Sequence, residues 1–110
     1  VSAHGLSEAT LETVRRILAA HPAVERAILF GSRAMGRQRR GSDIDLALVG
    51  EALGLRELGA IAGAFEESAL PYLVDLCLWH RIDHPGLRAH IQRVGQVLYE
   101  RSPQAPVFGD

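Results

Sequence analysis

Two carboxylates one residue apart, Asp43 and Asp45, stand at the head of an apolar run, Leu46-Ala47-Leu48-Val49. A third, Asp75, interrupts a second run, Leu73-Val74-Asp75-Leu76-Cys77-Leu78-Trp79. On a strand, residues i and i+2 share a face, about 6.6 Å apart along the chain. Asp43 and Asp45 would then point together, with Ile44 turned into apolar packing. Like charges held that close need a cation, and all-oxygen ligands suit Mg²⁺ or Mn²⁺. Two such ions about 3.5–4 Å apart stabilise the attacking and leaving oxygens of a phosphoryl transfer. An unpaired charge inside a strand is costly to bury. Asp75 is therefore expected to meet Asp43 and Asp45 at the metals, provided its strand lies beside theirs. The competing reading is a strand-end residue facing solvent or paired with an arginine.

Upstream lies Gly31-Ser32-Arg33-Ala34-Met35-Gly36, directly after the apolar run Ala27-Ile28-Leu29-Phe30. Glycine lets a backbone approach a ligand closely, and N–H groups at the start of a helical turn attract anions. The Ser32 hydroxyl adds a donor. A Walker A loop is excluded, because no Gly-Lys-Ser/Thr is present. A Gly-Ser pair alone marks many ordinary turns. Its weight here comes from its place just before the Asp-x-Asp.

These residues need elements to position them. Ser7 reads as an N-cap, and Leu11, Val14, Ile17 and Leu18 form one stripe of a helix of about four turns, ended by His21-Pro22. Val24–Phe30 reads as a central strand, Ser32–Met35 as a helical turn stopped by Gly36, and Asp43–Val49 as a second strand. A helix follows over residues 52–68, then a third strand, Leu73–Trp79. His84-Pro85 opens a last helix that Gly95 ends, and Gln96–Tyr99 forms a short further strand. The alternation gives an α/β (α+β) class: a small mixed sheet of 3–4 strands flanked by helices. One domain is expected over residues 1–101, with residues 102–110, which hold two prolines, as a flexible tail.

Composition narrows the function classes. The chain has 110 residues, 47% of them hydrophobic, as a single globular domain does. No apolar run approaches the roughly 18 residues of a membrane span, and no leader is visible in Val1-Ser2-Ala3-His4-Gly5. The lone Cys77 excludes an internal disulfide and fits a reducing cytoplasm. All twelve basic residues are arginine, yet the net charge is −1. Arg33, Arg37, Arg39 and Arg40 form a local cluster, which suggests a local anion. A nucleic-acid surface would make the whole domain basic, so no direct nucleic-acid contact is expected.

Taken together, Gly31-Ser32-Arg33-Ala34-Met35-Gly36, Ser42-Asp43-Ile44-Asp45-Leu46 and Asp75 resemble the minimal nucleotidyltransferase (MNT) family of the DNA polymerase beta-like superfamily. The ending His90-Ile91-Gln92-Arg93-Val94-Gly95-Gln96-Val97-Leu98-Tyr99 also resembles the end of such domains. The resemblance runs from about Leu6 to Tyr99. It implies a nucleotidyltransferase fold, with Asp43, Asp45 and Asp75 as catalytic residues holding two Mg²⁺ (or Mn²⁺) ions. Asp75 would also help activate the acceptor hydroxyl. Gly31 and Ser32 would hold the β- and γ-phosphates of ATP, Arg33 would supply charge nearby, and Ser42 would complete the nucleotide-binding set. Met35 departs from the pattern, since many relatives carry a second arginine there. Members of this size are often paired with a HEPN toxin encoded next door. The resemblance thus implies an antitoxin that transfers AMP from ATP to a toxin tyrosine.

Two rivals stand beside this reading. One is an antitoxin that neutralises its partner by binding alone. The other is a small-molecule, antibiotic-type nucleotidyltransferase, disfavoured by the absence of room for a substrate domain. An apolar face on the last helix would serve an oligomer or a heterocomplex. The remaining residues take bland readings. His21, His84 and His90 lie on or beside helices with no metal-ligand partner, Cys77 is a small packing residue, and Tyr72 and Trp79 belong to core or rim. His80 follows the third strand and would lie near the site. Arg37, Arg39 and Arg40 read as a solvated loop, with phosphate or an acidic partner as the alternative.

Overall fold

A computed structural model describes residues 4–101. The tail expected at residues 102–110 lies outside the described residues. The first helix, α1 (Glu8–Ala19), starts where the Ser7 Oγ accepts from the Thr10 N–H at 3.1 Å. Its stripe, Leu11, Val14 and Leu18, is buried. Strand β1 (Arg26–Phe30) follows, then the single turn α2 (Gly31–Ala34) and strand β2 (Ile44–Val49). Both strands start later than the sequence pattern suggests. The Val24 N–H closes a turn onto the His21 carbonyl instead of joining a ladder, and Asp43 precedes the first paired residue of β2.

Helix α3 (Leu55–Glu66) begins where the Gly54 N–H donates to the Glu57 carboxylate at 2.9 Å. Strand β3 (Val74–Leu78) runs into a 3-10 turn at Trp79–Arg81. Helix α4 (Pro85–Val94) is capped by His84, whose Nδ1 accepts from the Leu87 N–H at 3.1 Å, and strand β4 (Gln96–Glu100) ends the described chain.

The four strands form one mixed sheet in the order β3-β2-β1-β4. β1 is antiparallel to β2 and β4, and β2 is parallel to β3. A parallel pair needs a long crossover, and α3 supplies it. Alternation along the strands divides the sheet. One face sends Ala27, Leu29, Leu46, Leu48, Leu78 and Leu98 into a core with Val14 and Leu18 of α1 and Ile61 and Phe65 of α3. The other face carries Phe30, Asp45 and Asp75 in register, and α4 meets it where His90 packs edge-on against Phe30. The two long helices thus bury one face and leave the carboxylates on the other. No helix among the described residues is long and apolar enough to cross a membrane.

Leu29 is fully buried in the middle of this core. Leu29→Ala should cost about 3 kcal/mol of stability, as for a well-packed core leucine. Urea denaturation would show this as a lower midpoint with an unchanged slope.

Candidate active site

The parallel pairing of β2 and β3 decides which carboxylates meet. Asp45 stands opposite Asp75 in register, and on its other side Asp45 stands opposite Phe30. Neighbouring strands lie only about 4.8 Å apart, so the two side chains are adjacent on one face. Asp45 is half-buried and Asp75 exposed. Burial raises the Asp45 pKa above its ordinary value, and the charges of Asp75 and then Asp43 raise it further. Asp43 is exposed, one residue before β2. Among the described residues no three His, Cys, Asp or Glu side chains converge on one point. Asp43 and Asp75 are exposed, whereas Asp45 is held at the sheet face.

Gly31 follows β1 directly and has φ +77°, a conformation that favours glycine. A Cβ there would overlap the Asp45 carboxylate. The first residue of α2 therefore lies against the carboxylate pair only because it has no side chain. The sequence signal at Gly31 rested on its neighbours, and contact with Asp45 is the physical reason for a glycine. Ser32 is the next residue, half-buried, and its carbonyl accepts from the Arg37 N–H at 2.8 Å. That bond folds the arginine loop back onto α2.

Arg33 and Ser42 both have partners within the chain. Arg33 is expected to offer its charge to phosphate, but its side chain turns inward and the residue is only 3% exposed. Its Nε and one terminal nitrogen donate to the Ser42 carbonyl at 3.0 and 2.9 Å, and the other terminal nitrogen donates to the His4 carbonyl at 2.8 Å. The guanidinium carbon lies 4.7 Å from the centre of the Tyr72 ring. A group so enclosed joins four parts of the chain and has no open side for a ligand. The Ser42 hydroxyl accepts from the Arg39 N–H at 2.7 Å. Ser42 thereby shapes the loop that delivers Asp43.

Two further residues lie next to the site: His90, whose sequence context supports only a bland helix reading, and Gln96, which has no role of its own there. His90 on α4 accepts the Gly31 N–H on its Nε2 at 3.2 Å. Gln96, at the start of β4, donates its side-chain amide to the Ala34 carbonyl at 2.9 Å. Neither has a local signal, because each reaches a partner about 60 positions away. Cys77 lies opposite Ala47, one pleat beyond the carboxylates, and burial together with Asp45 and Asp75 raises its thiol pKa. Arg37, Arg39 and Arg40 are exposed, as a solvated loop requires, and His80 is exposed beyond β3. Trp79 lies at the rim, with the Arg88 guanidinium 4.1 Å above its ring centre.

Comparison with known proteins agrees with this architecture. The family model described as polymerase beta, nucleotidyltransferase matches residues 12–104. The probable protein adenylyltransferase MntA of Haemophilus influenzae is 37% identical over 73 residues, 66% of this chain. That match spans 63% of the relative's length, just under two thirds. A toxin-antitoxin crystal structure with AMP-PNP contains a chain 27% identical, with a TM-score of 0.69, over 83% of this chain and 73% of that one. A tri-AMPylated Shewanella oneidensis HEPN toxin in complex with an MNT antitoxin gives a TM-score of 0.62 at 22% identity, over 83% of this chain and 70% of the other. At that identity the likeness shows the fold alone.

Two outcomes are expected from the geometry. Arg33→Met strips the Ser42 and His4 carbonyls of their donor and should cost about 2–3 kcal/mol, the scale of buried polar groups left unsatisfied. Arg33→Lys, which keeps one donor, should cost less, and urea denaturation of both variants checks this. The second outcome concerns pH. A carboxyl whose pKa is raised by folding favours the folded state below its ordinary range, and that contribution is lost as pH rises through the raised value. In metal-free protein the Asp45 contribution to stability should therefore fall as pH rises from about 4, the ordinary Asp range, towards neutrality. Asp45→Asn should flatten that slope and raise the neutral-pH melting temperature.

Proposed function

Because the chain belongs to the polymerase beta-type nucleotidyltransferase family, we propose that it transfers AMP from ATP to a hydroxyl of a partner protein. The acceptor is a tyrosine of a HEPN toxin, and the chain acts as its antitoxin. The observation that carries this reading is the Asp45–Asp75 register beside Gly31, which places a carboxylate pair against a glycine turn on an open sheet face. The 37% identity to a probable protein adenylyltransferase supports the choice of AMP and of a protein acceptor. The relative solved as a toxin-antitoxin with AMP-PNP points to the same nucleotide and to a toxin as partner. ATP as donor and a single free cysteine suit a cytoplasmic setting. The catalytic domain is taken as residues 1–101.

The residues fit divalent cations. The donor set is all oxygen, Asp45 is crowded by two like charges, and Arg33, on the adjoining turn, is committed elsewhere. Asp43, Asp45 and Asp75 would hold Mg²⁺ or Mn²⁺, which supplies neutralisation of the triphosphate and of the charge that develops during transfer. Gly31 brings the backbone against the site, and Ser32 offers its hydroxyl to a phosphate oxygen. The acceptor oxygen attacks the α-phosphorus, and the bond from that phosphorus to the oxygen bridging to the β-phosphate breaks. Pyrophosphate leaves with that electron pair. Asp75, the exposed member of the pair, takes the proton from the acceptor hydroxyl. Arg33 and Ser42 hold the loop that presents Asp43.

The test mixes the protein with Mg²⁺, ATP and the protein encoded beside it, and reads the partner's intact mass. A gain of one or more AMP units is expected. Asp45→Asn should slow it by about 10²–10³-fold or more, the scale of removing one electrostatic group from a transfer site. Neutralisation with no mass gain, equal in the wild type and in Asp45→Asn, would instead assign an antitoxin that works by binding.

A further inference from the structure

The turn α2 (Gly31–Ala34) is too short to hold itself. One turn of helix forms at a net cost when nothing else supports it, and its ends leave N–H and C=O groups without helical partners. Here one group at each end is taken by a side chain from the C-terminal part of the chain. At the front, the Gly31 N–H donates to His90 Nε2 at 3.2 Å. At the back, the Ala34 carbonyl accepts from Gln96 Nε2 at 2.9 Å. The two donor–acceptor pairs are separated by 59 and 62 positions in sequence. The His90 ring is itself directed by Phe30, against which it packs edge-on at 6.3 Å and 83°. Because Nε2 accepts, the imidazole carries its proton on Nδ1.

We propose that His90 and Gln96 are positioning residues that bracket α2 and set its attitude towards the nucleotide phosphates. This rests on the reading of Gly31 and Ser32 as the phosphate loop. His90 occupies the Gly31 N–H and so fixes the plane of the peptide that lies against Asp45. Gln96 holds the far end, so that α2 is tied at both ends. Neither residue touches the reacting atoms. Their effect is exerted through the backbone of Gly31 and the direction of the Ser32 hydroxyl. The bracket also makes the α4–β4 unit, remote in sequence, a determinant of nucleotide affinity.

Three variants separate this role from simple packing. His90→Phe keeps a ring against Phe30 and removes the acceptor. His90→Gln restores an acceptor on a different frame. Gln96→Leu removes the donor at the other end. Each is measured in the full chain by titration with Mg²⁺ and AMP-PNP, by the KM and kcat of transfer, and by thermal unfolding. His90→Phe and Gln96→Leu should each weaken nucleotide binding about tenfold, the scale of one well-placed interaction lost. KM for ATP should rise to match, while kcat and the unfolding midpoint stay close to wild type. His90→Gln should recover most of the loss. Nucleotide binding as tight in His90→Phe as in the wild type, or tighter, would overturn the proposal, since the imidazole would then be idle or competing with phosphate for the Gly31 N–H. Failure of His90→Gln to improve on His90→Phe would overturn it too. If the wild-type chain itself bound no nucleotide, the phosphate-loop reading would fall and this inference with it, an outcome distinct from a difference among variants.

Discussion

A half-buried carboxylate crowded by its own kind governs this molecule. Asp45 lies opposite Asp75 across a parallel strand pair, two residues after Asp43, with Gly31 pressed against its oxygens. Burial and both neighbouring charges disfavour its ionised form. A fold optimised only for stability would place an apolar side chain there, as it does at Leu46 and Leu48 on the opposite face. The site therefore concentrates negative charge, and the remainder of the fold keeps Asp45 and Asp75 side by side. The core of α1, α3 and one sheet face fixes the strand register. The register in turn fixes the adjacency of Asp45 and Asp75.

The polar groups around the site divide into those that face a ligand and those that hold the chain. Arg33 belongs to the second kind. Its bonds to the Ser42 and His4 carbonyls and its stacking on Tyr72 tie the N-terminal segment, α2, the arginine loop and the approach to β3 together. His90 and Gln96 do the same for the two ends of α2. A guanidinium suits this work because its planar fork serves several carbonyls at once. A site that must receive a large anion gains from a scaffold whose own donors are already satisfied.

Much of this is legible in the sequence, for physical reasons. Strand periodicity places Asp43 and Asp45 together, and the apolar run around Asp75 marks a second strand that would bring a third carboxylate to them. Among the described residues, four strands and four helices arise where the patterns of Leu11, Val14 and Leu18 or of Leu46, Ala47 and Leu48 require. Local chemistry also names the caps at Ser7 and the stop at Gly36. What the sequence conceals is direction. An arginine between a serine and an alanine in a glycine-rich turn has the right charge for phosphate, and nothing local says that its side chain folds back onto Ser42. The contacts of His90 and Gln96 are hidden because their partners are about 60 residues away, and only the β1–β4 pairing brings them to α2. The register of β2 against β3 is likewise a tertiary fact, since a shift of one residue would send Asp75 to the core face.

The central claim is that the Asp45–Asp75 adjacency is a divalent-cation site rather than a strained surface pair. Titration with Mn²⁺ in the presence of AMP-PNP, followed by the electron paramagnetic resonance of free Mn²⁺, measures this directly. The account predicts saturable uptake by the wild-type chain that weakens sharply in Asp45→Asn and in Asp75→Asn. Uptake that is equal in all three proteins, or absent from the wild type, would contradict it.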